Sequence, residues 1–143
     1  PGAVMSSYVE DRIALQDVMT RYAIAVDEKD YDGYRELFAE DVHVLGLTPE
    51  DMHGMAEFFP WWKNAIDQYD STQHLFSPMI ATIEGDYAKT VSNLQALHYP
   101  KGDPKTTVTL WASYKTDMRR VDGAWKICRH ELVRRGFEVN SPE

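Results

Sequence analysis

The sequence predicts an α+β domain in which helices come first and one curved antiparallel sheet follows. Three observations carry this. Up to about residue 69, apolar residues recur mainly at helical spacing. After Asp70 the chain becomes a series of long strand-like runs, roughly 72–84, 87–99, 105–120 and 124–136. Two of the gaps between them are the pairs Gly85-Asp86 and Asp122-Gly123, which suit tight hairpins. Helices segregated from consecutive hairpins are the pattern of an α+β layer structure.

Each element has a local reason. Ser7-Tyr8-Val9-Glu10 fits a capping box, in which the serine oxygen takes a backbone N–H and the glutamate reaches back. Val9, Ile13, Val18, Tyr22 and Val26 then recur near a 3.6-residue period, predicting a helix to about Glu28. Asp30 can cap a shorter second helix carrying Tyr31, Tyr34, Leu37 and Phe38. Asp41 to Leu47 alternates and is β-branched, which predicts a short strand, and Thr48 to Gly54 is a loop marked by Pro49 and Gly54. Met55 to Tyr69 is a third helix, with Phe58, Phe59, Trp62 and Ile66 on its apolar side and Pro60 in its first turn or at a kink. Lys101 to Pro104 is the loosest of the later connections. One domain over residues 5–140 is expected, and residues 1–4, which precede Met5, are set aside as a remnant of expression.

Composition narrows the function classes. There are 15 Lys and Arg against 23 Asp and Glu, a net charge of −8, which argues against nucleic acid as a partner. A single cysteine, Cys128, makes neither an internal disulfide nor a cysteine zinc site. The longest uncharged run, Ser71 to Ile83, is 13 residues and too short to span a bilayer. No signal-peptide pattern opens the chain, so a cytoplasmic protein without a membrane partner is expected. The five histidines show neither H-x-x-x-H nor H-x-H spacing, so no metal is expected. The phosphate-cradle, dinucleotide and serine-hydrolase motifs are missing as well.

Two ionisable residues stand out against apolar surroundings. Asp27 follows Ala23-Ile24-Ala25-Val26 at a helix end that disfavours negative charge. It is either a solvated member of the run Asp27-Glu28-Lys29-Asp30 or a functional carboxylate. His74, within Thr72-Gln73-His74-Leu75-Phe76, is either satisfied by one bond at a sheet edge or a general base. A carboxylate on one ring N–H would fix its tautomer and free the other nitrogen. Alternation puts His130, Leu132 and Arg134 on one strand face unless a bulge intervenes. Trp61 and Trp62 are either core or one wall of an apolar pocket.

The order of motifs resembles the SnoaL-like branch of the nuclear-transport-factor-2-like (NTF2-like) superfamily over about Ser7 to Phe137. The segments that carry it are Arg21 to Asp27, Asp30-Tyr31-Asp32, Leu37 to Val42, Thr72-Gln73-His74, Ala96-Leu97-His98 and Tyr114 to Ile127. The resemblance implies a cone: a bent antiparallel sheet wrapped around the long N-terminal helix, with an internal pocket. It is nearest in pattern to scytalone dehydratase, hexachlorocyclohexane dehydrochlorinase and bile-acid 7α-dehydratase, lyases that use an Asp–His pair and no cofactor. It implies Asp27 and His74 as the catalytic pair, with Tyr22 and Arg134 as further catalytic residues. His98, Trp62, Phe58 and His130 are expected at the substrate. The function expected is a cofactor-independent, dehydratase-like lyase acting on a small, largely apolar or cyclic molecule. A polyketide cyclase or isomerase, or a non-catalytic binding domain, are the alternatives. The outer face of a bent sheet leads to an expected homodimer or homotrimer.

Overall fold

The computed structural model describes residues 7–143; the reading of residues 1–4 lies outside the described residues. Helix α1 spans Tyr8–Asp27, α2 Tyr31–Arg35 and α3 Met55–Ile66. The strands are β1 Phe38–Leu45, β2 Met52–His53, β3 Tyr69–Phe76, β4 Ile80–Glu84, β5 Tyr87–Pro100, β6 Thr107–Val121 and β7 Ala124–Asn140. They form one sheet in the order β2-β1-β7-β6-β5-β3, with β4 also paired to β5.

The capping box at α1 forms as the sequence predicts, with Glu10 N–H donating to Ser7 Oγ at 3.1 Å. The buried stripe of α1 differs from the expected one. Leu15, Val18, Met19, Tyr22 and Val26 are buried, whereas Val9 and Ile13 are exposed. The stripe is set by Asp11, which is buried against Arg120 at 2.7 Å and turns the first two turns with it. At the Asp122-Gly123 turn both residues have positive φ, 51° and 81°, as a two-residue hairpin demands.

Four boundaries depart from expectation. The predicted 72–84 strand is two strands, β3 and β4, both paired to β5. Ser77 to Met79 breaks it: Pro78 lacks an N–H, and Ser77 bonds Asn93 through both its backbone N–H and its Oγ. The same break is tied to α1, since Arg12 donates to Met79 O at 2.8 Å and Met79 N–H donates to Gln16 Oε1 at 3.2 Å. Helix α3 stops at Ile66, so Tyr69 already belongs to β3. β1 begins at Phe38, three residues early, and the expected loop 48–54 contains β2. β1 pairs with β7 in parallel, the one parallel seam among the described strands. Gly46 closes that seam at φ 83°, where a Cβ would sit 2.1 Å from Leu132 O.

The core lies between α1 and the concave face of the sheet, with α2 and α3 closing one end. Tyr34 and Trp62 stack face to face at 3.7 Å in that end, and Phe38 and Phe58 pack against Tyr34.

Candidate active site

Asp27 is the last residue of α1 and meets the middle of β3. Asp27 Oδ1 lies 2.8 Å from His74 Nδ1 and accepts from Thr72 Oγ1 at 3.0 Å. Asp27 Oδ2 accepts from the backbone N–H of His74 at 2.9 Å. Three donors therefore compensate a carboxylate placed at the unfavourable end of a helix. Thr72 and His74 share one side of β3 because strand residues alternate, so both can reach the same carboxylate. Their backbone and side-chain bonds pin the imidazole with Nδ1 protonated. Nε2 has no partner among the described residues and is the free basic nitrogen. The His74 side chain is 8% exposed and that of Asp27 22%, so the pair is sheltered yet reachable.

Strand register shows what shares this face. Residues in register across a sheet stand side by side. One rung runs His74, Ala96, Leu110, Phe137; the next runs Phe76, Leu94, Ala112, Arg134. Arg134 therefore stands on the same concave face as His74, three strands away. It is exposed, its guanidinium 4.2 Å from the Phe137 ring. His98 lies beside His74, ring centroids 5.6 Å apart at 79°. Its Nδ1 bonds Val108 O at 3.0 Å, which leaves Nε2 as an acceptor. Burial pushes its pKa down, so it is neutral at neutral pH.

Other expected site residues are placed differently. His130 is fully buried, with Nε2 3.0 Å from Tyr22 Oη and Nδ1 2.8 Å from Thr116 Oγ1. Burial lowers its pKa to about 3, so it stays neutral. Tyr22, 3% exposed, also approaches Tyr114 Oη at 3.4 Å. Burial raises the pKa of both tyrosines, so each remains a protonated hydroxyl. The Phe76 ring touches both groups, 5.5 Å from Tyr22 and 6.3 Å from His74. His130, Phe58 and Trp62, expected at the substrate, sit within the core. His130 and Phe58 are 0% exposed and Trp62 5%, because aromatic stacking around Tyr34 and the tyrosine–histidine bonds seal them into the core. Alternation was right about Arg134, since the β7 bulges fall on either side of the stretch 129–134.

Sequence reasoning missed Thr72 and Tyr114. The signal for Thr72 was its position two residues before His74. Tyr114 was visible only as an alternate residue of a long strand. Sequence spacing also gave no hint that His43, Asp51 and His53 come together on the β1–β2 ribbon, with ligand atoms all within 4.8 Å. A groove of about 1010 Å³ runs along the outer side of α1, past Asp17, Arg21 and Glu36, and contains none of the dyad residues. It is a surface trough of mixed polar and apolar lining, apart from the Asp27–His74 pair.

Known proteins place the chain more broadly. No curated protein matches it. A family model described as a SnoaL-like domain matches residues 7–131. A provisionally named aromatic ring hydroxylase from Novosphingobium aromaticivorans is 26% identical, with 94% of this chain and 96% of that chain covered and a TM-score of 0.84. A provisionally named scytalone dehydratase from the same organism is 20% identical, covering 94% and 89%, with a TM-score of 0.83. Hexachlorocyclohexane dehydrochlorinase LinA-type3 from Novosphingobium barchaimii is 15% identical, covering 94% and 93%, with a TM-score of 0.80. The names differ in reaction, so what they share with this chain is the cone-shaped fold. With the family model spanning nearly all of the described residues, the chain belongs to the SnoaL-like domain family.

Proposed function

We propose that this protein is a cofactor-independent lyase that removes water, or a hydrogen halide, from a small and largely apolar or cyclic substrate. The observation that carries the reading is the Asp27–His74 pair, with Nδ1 held at 2.8 Å and Nε2 free on the concave face. His74 Nε2 takes a carbon-bound proton, and the C–H electrons become the new double bond. The C–O bond breaks, and the imidazolium returns the proton to the departing hydroxide, releasing water. With a halide the proton stays for solvent to remove. Asp27 stabilises the imidazolium between these steps, as a buried carboxylate does for a catalytic histidine. Neutral His98 accepts a hydrogen bond from a substrate hydroxyl at Nε2. Arg134 faces the substrate from the opposite strand and holds developing negative charge. Tyr22 acts as a positioning residue through Phe76, Tyr114 and His130.

The test is turnover of a panel of small cyclic alcohols, β-hydroxy ketones and alkyl halides, read by mass spectrometry. The expected product is lighter by one water or one HX. On that substrate His74→Ala and Asp27→Asn are each expected to lower kcat by roughly 10²–10⁴-fold, the usual contribution of a positioned base, with the thermal melt preserved. Wild-type kcat in either variant overturns the dyad. A product of unchanged mass replaces elimination with isomerisation or cyclisation.

The outer face supports self-association. Leu75 and Trp111 flank Gln95 on one outer rung, and Ile80 pairs with Val91 on another; all four apolar residues are exposed. The reading is a homodimer or homotrimer built on this face.

A further inference from the structure

We infer that His43, Asp51 and His53 form a binding site for a divalent transition-metal ion of the zinc class, separate from the dyad. His43 and His53 are direct cross-strand partners in the β1–β2 ribbon. Their rings lie side by side, centroids 4.5 Å apart and 17° from parallel. Asp51 reaches into the same space, its Oδ2 2.8 Å from His43 Nε2. One ligand atom from each residue lies within 4.8 Å of the other two. A tetrahedral ion with bonds of ~2.0–2.1 Å holds its ligands roughly 3.4 Å apart, so the widest pair closes by at most about 1.4 Å while His43 and Asp51, now at 2.8 Å, open by about 0.6 Å.

The chemistry selects the ion. Two imidazoles and one carboxylate suit zinc, nickel or copper, and not magnesium or calcium, which favour all-oxygen shells. Three protein ligands leave a fourth position for water. The scaffold is firm enough to hold the set. Met52 is buried beside His53, and Gly54 N–H donates to Val42 O at 2.7 Å, which locks the register that pairs the histidines. The Glu57 carboxylate accepts from His53 N–H at 3.3 Å and adds negative charge nearby. Asp51 and Glu57 also border an open cleft of about 480 Å³, together with Trp61. All three ligating side chains are at least partly exposed, so entry needs no opening of the core.

The site and the dyad occupy opposite ends of the sheet order, β2–β1 at one end and β3 at the other. Four spacings of ~4.8 Å from His43 and five from His53 separate them along the sheet, so the ion takes no part in the proposed elimination.

The experiment is calorimetric titration of the metal-free 143-residue chain with zinc chloride at pH 7.5, repeated on His43→Ala, His53→Ala, Asp51→Ala and His74→Ala. One equivalent is expected to bind. Each of the first three substitutions should weaken binding at least about tenfold, and His74→Ala should leave it unchanged. Thermal melts of the apo variants should match the wild type, since these side chains lie at the surface. Absence of binding overturns the site. So does binding that survives His53→Ala, or that disappears with His74→Ala.

Discussion

Lowering the pH should destabilise this protein through His130 before its carboxylates matter. The imidazole is fully buried and its folded pKa is about 3, against an unfolded value of ~6.5. The unfolded chain therefore takes up the proton first, and stability falls as pH drops below ~6.5. The full stability is present above that value and the loss ends only near the folded pKa. Between pH 7.5 and 5 the unfolded state gains RT ln(1 + 10^1.5), about 2 kcal/mol, while the folded state gains almost nothing. At this chain length that corresponds to a fall in Tm of roughly 6–8 °C. His98, whose pKa is also lowered by burial, acts in the same direction. His130→Gln isolates the His130 share, because the amide keeps a donor and an acceptor beside Tyr22 and Thr116 but does not titrate. Urea melts at pH 7.5, 6 and 5 on both proteins give the slope. Most of the pH dependence should vanish in the variant, and the His130 ring resonances in NMR should stay neutral down to pH 5. An identical slope in the two proteins, or a His130 titration midpoint near 6, would refute the argument.

Other perturbations have separable outcomes. Phe58 is 0% exposed and packs against Tyr34 and Phe38, so Phe58→Ala should cost about 3–5 kcal/mol in urea unfolding. A cost below about 1 kcal/mol would return Phe58 to the wall of an open pocket. Trp111→Arg places a charge in the exposed apolar outer face. By light scattering, the wild type should have the mass of a dimer or trimer and the variant a lower one; a monomeric wild type removes the interface.

Much of the fold was legible because local chemistry specified it. The Ser7–Glu10 box and the Asp122-Gly123 turn are decided by a few neighbouring atoms. So is the alternation that sets His130, Leu132 and Arg134 on one face. What was illegible depends on partners distant in sequence. No local pattern announces that β1 joins β7 in parallel, or that two residues of a loop become β2. Trp62 reads the same on an apolar helix face whether it stacks on Tyr34 or faces a cavity; only the fold supplies Tyr34. Exposed Val9 and Ile13 misled the helix stripe because Arg120, which captures Asp11, is 109 residues away. The histidine pair His43 and His53 stayed hidden for the same reason. Its ten-residue spacing has no helical or strand meaning until the ribbon register makes the two residues opposite one another.

The double attachment of α1 has a consequence for how such a protein can change. The helix is fastened near Arg12 and Gln16 to the β3–β4 break and, at Asp27, to Thr72 and His74. Eleven residues of helix, ~16 Å at 1.5 Å each, are thereby matched against a fixed length of strand. Insertion of one residue into the helix between the anchors swings Asp27 about 100° around the axis. Insertion of one into β3 turns His74 to the opposite side of the sheet. Neither segment tolerates a change in length without dissolving the pair. Variation among descendants of this chain is therefore freer in the side chains that face the pair, such as His98 and Arg134, which can change without altering the length that holds Asp27 against His74.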